Sequence, residues 1–433
     1  MALAPFFKKS YYILAGAGAF YVFLLLVLSN EFLQRHALYA HKLKKGGWNY
    51  VNHPEKNGFA KNQVTPFFIP TSDGESLYAW HVLPLGTYAE HEAALLEQPE
   101  GPIENITSSL PFDLLSKDPE SRLVINFHGN AGHVAQGWRP STYHSLTGGS
   151  TPKTHVLAFD YRGFGQSSGV PSEAGLIRDG ISVVTWAMTV AEIPPERIVI
   201  LGQSLGTAVS TAVAEHFATQ TSPQVSFAGV VLVAGFSDLA TLMRTYSYGG
   251  IIPMLSPLRP YPRLQKFFID KLVDTWRTSS RLANLVAKSN RLRLHLVHAK
   301  DDMHIPWIQS QMLFATAANA MVEADARGAE EEAYGVPGEE VVKKTVTTDL
   351  GNGGYIDRLE VGEKSVRVTI LRRGGKFISH YVLFYIHIIP FIFFILIFFY
   401  SPLPSPTSLS FHFLFHSPME HGSSISHSEP NEY

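Results

Sequence analysis

Between residues 63 and 375 the chain alternates short apolar runs with stretches of helical spacing. Residues 64–70 and 76–84 flank Ser72-Asp73-Gly74, a turn signal, and so predict a hairpin. Residues 122–127 (RLVINF) and 155–159 (HVLAF) are continuous apolar runs, the form of a parallel strand buried on both faces. Helical spacing follows over 173–190. Residues 197–201 (RIVIL) predict another strand, with a helix from Ser204 to about Thr219. Runs at 228–233, 293–297 and 366–371 complete the strand set. An antiparallel start followed by repeated strand–helix units predicts an α/β domain, with a mostly parallel sheet and helices on both faces. Three stretches break the alternation. Residues 86–117 are polar and acidic and read as a surface insertion. Residues 241–287, rich in Pro, Tyr, Phe and Arg, read either as a lid over a pocket or as an ordinary helical excursion. Residues 323–364 are acidic and Gly-rich and read as a long surface loop.

The two ends differ from this core. Lys8 and Lys9 precede an uncharged run over 10–29, about the 20 residues that cross a bilayer as a helix. Its small residues, Ala15 to Ala19, come before the Leu/Val core, the reverse of a cleavable signal, and Asn30, Glu31 and Phe32 follow. Residues 1–30 therefore read as an uncleaved membrane anchor rather than a buried core helix, and 31–62 as a juxtamembrane segment. Orientation stays open. Arg35, Lys42, Lys44 and Lys45 lean towards a cytosolic C-terminal side, whereas Asn105-Ile106-Thr107 is a glycosylation sequon that matters only in a lumen. At the other end, residues 377–419 contain no Asp, Glu, Lys or Arg. Residues 377–400 are apolar enough for a second span, interrupted by Pro390. Residues 401–418 are mostly Ser, Pro, Leu and Phe, all of which have pyrimidine-rich codons. Residues 376–433 are thus expected to be either translated intron or a genuine tail anchor.

Composition narrows the function classes. Lys plus Arg is 35 and Asp plus Glu 37 across 433 residues, a near balance that argues against a nucleic-acid binder held by bulk charge. Hydrophobic residues are 45% and charged residues 17%, which rules out wholesale disorder and fits membrane segments. There is no cysteine, hence no disulfide, thiolate nucleophile or Cys-based metal site.

Two Gly-x-Ser-x-Gly patterns occur, at Ser204 (GQSLG) and at Ser167 (GQSSG). Nucleophilic chemistry needs the serine on a tight strand-to-helix turn, its hydroxyl exposed at a helix N-terminus that favours developing negative charge. Ser204 follows a strand directly and precedes a helical run; Ser167 is soon followed by Pro171 and reads as loop. Ser204 is the expected nucleophile. Its tetrahedral intermediate needs two backbone N–H groups. One is expected from Leu205, the other from Asn130 in His128-Gly129-Asn130-Ala131-Gly132-His133, which follows the 122–127 strand. A carboxylate must orient the base. Asp301 or Asp302 stands just past the 293–297 strand, with Asp238 as the rival. No metal is expected: His295 and His298 lie an odd number of residues apart on one strand, facing opposite ways, and with His304 match no zinc spacing.

With these residues placed, the chain resembles the α/β-hydrolase superfamily, and within it the membrane-anchored lipases that act on monoacylglycerol and lysophosphatidylserine. The resemblance runs over about 46–375. It rests on Thr71-Ser72-Asp73-Gly74 with Trp80, on HGNAG from His128, FDYRGFG from Phe159 and GQSLG from Gly202, and on Trp276 and HAKDDMHIP from His298. It implies an α/β-hydrolase domain over 63–375 with an inserted lid, no cofactor, a lipid ester substrate, and an N-terminal anchor at the endoplasmic reticulum membrane. The family's Asp-x-x-hydrophobic-Pro pattern selects Asp302 over Asp301. One departure matters. The family follows its last strand with Gly-Gly and at once the catalytic histidine, whereas here Gly374-Gly375 is followed by Lys376. His380 is the nearest substitute and His387 the next. The expected function is thus a membrane-anchored serine hydrolase of lipid esters. The alternative is a catalytically inactive hydrolase-fold scaffold, and a peptidase on the same fold is a third reading.

Overall fold

The computed structural model describes residues 3–42, 51–148, 153–248, 252–326 and 336–373. The chain divides into Met1–Tyr381 and Val382–Tyr433. The second unit, and with it the whole 376–433 tail, lies outside the described residues.

The strands in chain order are β1 (Val64–Pro70), β2 (Ser76–Val82), β3 (Arg122–Phe127), β4 (Thr154–Phe159), β5 (Ile198–Gln203), β6 (Gly229–Val233), β7 (Ser247–Tyr248), β8 (Ile252–Pro253), β9 (Leu292–Ala299), β10 (Val346–Gly351), β11 (Gly354–Val361) and β12 (Lys364–Leu371). Ten of them form one sheet in the order β1-β2-β4-β3-β5-β6-β9-β12-β11-β10, while β7 and β8 pair separately. The stretch from β4 to β12 is parallel throughout. Antiparallel pairs close both edges.

Parallel neighbours need crossovers, and helices supply them on both faces. Glu173–Thr189 links β4 to β5, Leu205–Thr219 links β5 to β6, and Ile308–Ala326 follows β9. The strand side chains divide accordingly. Leu123, Ile125 and Phe127 of β3 join the larger buried cluster, with Trp186, Val213 and Trp276, while Val124 packs with Trp80, Tyr143 and Val156 on the opposite face. Burial on both faces is why these strands read as continuous apolar runs. From β3 the chain steps to β4 on one side and then to β5 on the other. That reversal falls between β3 and β5, and in sheets of this kind ligands bind outside the carboxyl ends of the strands at such a point.

Two segments differ from their sequence reading. Residues 323–364 are not a loop among the described residues: the helix Ile308–Ala326 runs into them, Glu339–Lys344 is helical, and β10 and β11 extend the sheet. β10 is exposed along its whole length, so it carries none of the apolar alternation by which a strand is recognised. Its turn was legible: Asn352 and Gly353 both take positive φ, as a tight hairpin requires. Residues 86–117 contain the helices Leu85–Leu96 and Leu110–Ser116, whose Leu95, Phe112 and Leu115 are buried.

Within 241–287 lie the end of the helix Leu239–Thr245, the helix Pro262–Ile269 and most of Thr278–Lys288. The N-terminal helix runs from Leu3 to Leu28, and its Phe7–Val27 stretch is long and apolar enough to cross a membrane. Its Tyr21, Val22 and Leu25 pack with Leu255, Leu258 and Phe268 of the 241–287 segment.

Candidate active site

Ser204 sits between β5 and the helix Leu205–Thr219 with φ 49° and ψ −119°, a strained left-handed conformation for a residue with a side chain. The turn closes only because its neighbours lack side chains. A Cβ on Gly202 would lie 2.5 Å from the Gly206 carbonyl oxygen, and one on Gly206 would lie 2.0 Å from that of Phe127. The strain aims the hydroxyl out of the sheet at the helix N-terminus.

The β3–β5 register pairs Phe127 with Gly202, so the loop leaving β3 runs level with the Ser204 turn. Gly129 abuts it: a Cβ there would lie 3.3 Å from the Ser204 Cβ. The arrangement brings together three expected residues, Ser204, Leu205 and Asn130, through one register.

Sequence reasoning missed the residue that shapes this loop. Arg139 is buried, and its guanidinium donates to the carbonyls of His133 (2.6 Å), Gly129 (2.9 Å), Asn130 (3.2 Å) and Ala131 (2.7 Å). In a trans peptide the C=O and the next N–H point in opposite directions. Drawing the Gly129 carbonyl to Arg139 therefore turns the Asn130 N–H the other way. No motif marks Arg139; only its place before Pro140 at the start of the helix Arg139–Thr147 hinted at order.

Beneath the loop lies a buried acid. Burial pushes the Asp160 carboxyl up to about 8, against the pull of Arg139 and of the Val134 amide that donates to it at 2.7 Å. His128 lies 3.5 Å away, its own basicity driven well down by burial.

Asp302 follows β9, two strands beyond β5 in the sheet. It accepts the amides of His304 (2.8 Å) and Ile305 (3.0 Å) and lies 3.5 Å from the His298 ring. Burial alone would raise its carboxyl, but His298 and those two amides outweigh it and hold it below the usual carboxylate range. His298 is itself committed, with Ser310 Oγ at 2.7 Å from Nδ1 and the Ile305 carbonyl at 2.9 Å from Nε2. It supports the acid loop and has no ring nitrogen to spare for a serine. His295 faces away, 2.9 Å from Thr369 on β12. β12 ends at Leu371 beside Ala299, so the chain leaves the sheet next to the Asp302 loop. Lys376, His380 and His387 lie outside the described residues.

The rival residues have other work. Ser167 donates to the Asp160 carbonyl at 2.6 Å and accepts the Tyr78 amide at 2.9 Å, which makes it a structural pin. Asp238 caps the helix Leu239–Thr245 through the Thr241 amide. Arg162, of the FDYRGFG stretch, bridges Asp73 at 2.8 Å and Asp179 at 2.7 Å, tying the β1–β2 turn to the helix Glu173–Thr189.

A family model described as "Alpha/beta hydrolase family" matches residues 124–351, more than half of the chain and the stretch that holds these loops. The chain belongs to the alpha/beta hydrolase family. Among curated relatives it is similar to lysophosphatidylserine lipase ABHD12 of Xenopus tropicalis, 27% identical over 270 residues and 62% of each chain. The same lipase of Danio rerio is 26% identical over 272 residues, again 62% of each. YfhR of Salmonella typhi, an uncharacterized protein, is 30% identical over 200 residues, covering 45% of this chain and 59% of its own. The chain thus spans about three fifths of the length of these relatives. Among solved structures, an alpha-beta hydrolase from Vibrio vulnificus aligns over 68% of this chain and 81% of its own, at 15% identity and a TM-score of 0.46.

Proposed function

We propose that this member of the alpha/beta hydrolase family is a membrane-anchored serine hydrolase that cleaves carboxylic esters of lipids, of the monoacylglycerol or lysophospholipid type. The observation that carries the reading is the left-handed Ser204 turn with Gly129 packed against it. Ser204 Oγ attacks the acyl carbonyl carbon while its proton passes to a base. The carbonyl oxygen becomes an oxyanion, held by the N–H groups of Asn130 and Leu205. The oxyanion collapses, the C–O bond to the leaving alcohol breaks, and the alcohol takes the proton. Water then releases the fatty acid from the acyl-serine by the same steps. Asp302, held ionised, orients the base, a histidine whose family position is taken by Lys376 here. The lipid class is supported by the lysophosphatidylserine lipases among its relatives, and the anchor by the apolar helix Leu3–Leu28. The stretch over 241–287, packed against that helix, is proposed as the lid. The proposal places the protein at the endoplasmic reticulum membrane.

Lys376 favours a second reading, an inactive hydrolase-fold scaffold at the membrane. An active-site fluorophosphonate separates the two. Labelling of the full chain that is lost in Ser204→Ala supports the hydrolase, and equal absence of labelling in both supports the scaffold. Sequencing the transcript across the codons for Gly374 to His380 shows whether splicing joins Gly375 to a histidine codon. Turnover of lipid esters against peptide amides separates the lipase from a peptidase.

A further inference from the structure

The short helix Glu31–Tyr39, between the apolar helix and the domain, ends against the oxyanion loop. The last carbonyls of a helix have no partner within it and must find one elsewhere. Here the loop supplies them. The Ala131 amide donates to the Tyr39 carbonyl at 3.2 Å, and the Asn130 side-chain amide donates to the Leu38 carbonyl. Both contacts join residues 92 positions apart.

The helix is itself pinned at three places. Gln34 accepts the Val273 amide at 2.8 Å and donates to the Lys271 carbonyl at 3.1 Å. The Tyr39 ring is fully buried, edge-on to Phe164. Its hydroxyl donates to Asp274 Oδ2 at 2.7 Å, and the other oxygen of that carboxylate accepts the Glu173 amide at 2.9 Å. Ala40 then takes a left-handed turn, φ 47°, carrying the chain away.

These contacts complete a clamp with two jaws. Arg139 draws the carbonyls of Gly129, Asn130 and Ala131 to one side. The helix end takes the Ala131 amide and the Asn130 side chain on the other. The Asn130 backbone amide, between them, is turned away from Arg139 by the hold on the Gly129 carbonyl. We propose that the helix Glu31–Tyr39 is the positioning element of the oxyanion loop, so that the segment leading out of the membrane anchor sets the geometry in which the Asn130 N–H meets the substrate oxygen. The catalytic half of this statement rests on the serine hydrolase reading above; the structural half does not.

The test uses the full chain with Tyr39→Ala, with Tyr39→Phe, which keeps the ring and removes only the bond to Asp274, and with Tyr88→Phe as control. Tyr88 is likewise buried and donates to a backbone carbonyl, that of Lys61 at 3.0 Å, but touches neither the helix Glu31–Tyr39 nor the loop. Two quantities are read: hydrogen exchange of peptides covering 128–137, and kcat and KM on p-nitrophenyl butyrate, a soluble ester that needs no membrane. Tyr39→Phe should speed exchange at Ala131 about fivefold and lower kcat about 3- to 30-fold with KM within about twofold, because an oxyanion contact forms in the transition state. Tyr39→Ala should do more, and Tyr88→Phe should change neither quantity. If Tyr39→Ala does not fold, Tyr39→Phe decides. Unchanged exchange in folded Tyr39→Phe overturns the proposal; so does faster exchange with unchanged kcat, or an equal response in Tyr88→Phe. Should the wild-type chain neither turn over an ester nor label at Ser204, kcat is read in a Lys376→His background; if that chain is silent too, the hydrolase reading has failed, and exchange alone judges the positioning by the same criterion.

Discussion

Arg139 offers the sharpest test of how the site is built. Its guanidinium serves four carbonyls in a buried loop. A hydrogen bond to a charged group contributes about 1.5–3 kcal/mol net, and bonds sharing one donor group do not add in full. Arg139→Met keeps the stem volume and leaves those carbonyls facing an apolar chain end. The expected loss is about 3–5 kcal/mol, the range for breaking a buried charged network. Arg139→Lys keeps the charge but concentrates its donors on one atom, which cannot span carbonyls spread from Gly129 to His133. Its expected loss is about 2–3 kcal/mol. Stability is read from urea unfolding followed by tryptophan fluorescence, because Trp80 and Trp276 are buried on opposite faces of the sheet. Loop geometry is read from the rate of fluorophosphonate labelling at Ser204 in a Lys376→His background, which supplies the base that activates the serine. That rate should fall about 10- to 100-fold in both variants, short of the 10²–10³ that complete loss of one oxyanion donor costs. Arg139→Met that unfolds within about 1 kcal/mol of wild type and labels at the wild-type rate refutes the clamp.

Two further outcomes follow from the same geometry. Ser167→Ala should leave labelling at Ser204 intact while costing about 1–2 kcal/mol, since it frees the Tyr78 amide and the Asp160 carbonyl; loss of labelling there would make Ser167 the nucleophile. Asp160, with its carboxyl pushed up to about 8, keeps a proton that the unfolded chain, near 3.9, releases. Its contribution to stability is therefore complete below pH about 4 and lost as pH rises through about 8. Asp160→Asn still accepts the Val134 amide and does not titrate, so the wild-type stability minus that of the variant should decline from pH about 4 to about 8 in urea titrations. A flat or rising difference contradicts a proton on Asp160.

The parts of the fold that were legible are those that local burial writes into the chain. β3, β4 and β5 are covered on both faces and so appear as unbroken apolar runs. Ser204 was legible for a related reason: Gly202 and Gly206 sit where any side chain would strike the backbone, and that demand is local. β10 was lost because an exposed edge strand has no buried face to imprint, although Asn352-Gly353 carried the turn. Arg139 and Tyr39 were lost for a different reason. Each meets the loop through backbone groups, Arg139 at its carbonyls and Tyr39 with its own carbonyl on the Ala131 amide; such groups are present at every position, so the residue types of the loop do not record the contact. Only the β3–β5 register, and the return of the 31–39 helix onto the loop, bring those groups within reach.

β12 leaves the sheet beside Ala299, and the Lys300 amide donates to the Leu371 carbonyl at 2.8 Å, so the residues after Leu371 depart next to the Asp302 loop. In the proposed mechanism a base oriented by Asp302 comes from there. Lys376 cannot serve: an amine near 10.4 is protonated at neutral pH and has no lone pair for the serine proton. A site with nucleophile, oxyanion donors and acid but no base retains only about 10³–10⁴ over the reaction in water, roughly a millionth of the complete enzyme. Lys376→His supplies the missing group at the family's position. Assayed on p-nitrophenyl butyrate, it should raise kcat by at least about 10³, and the gain should vanish in Lys376→His with Asp302→Ala. A chain that already turns over at the rate of Lys376→His has its base elsewhere, with His380 the first residue to replace. A Lys376→His chain that gains nothing, yet still labels at Ser204, refutes the view that one substitution separates this site from a working triad.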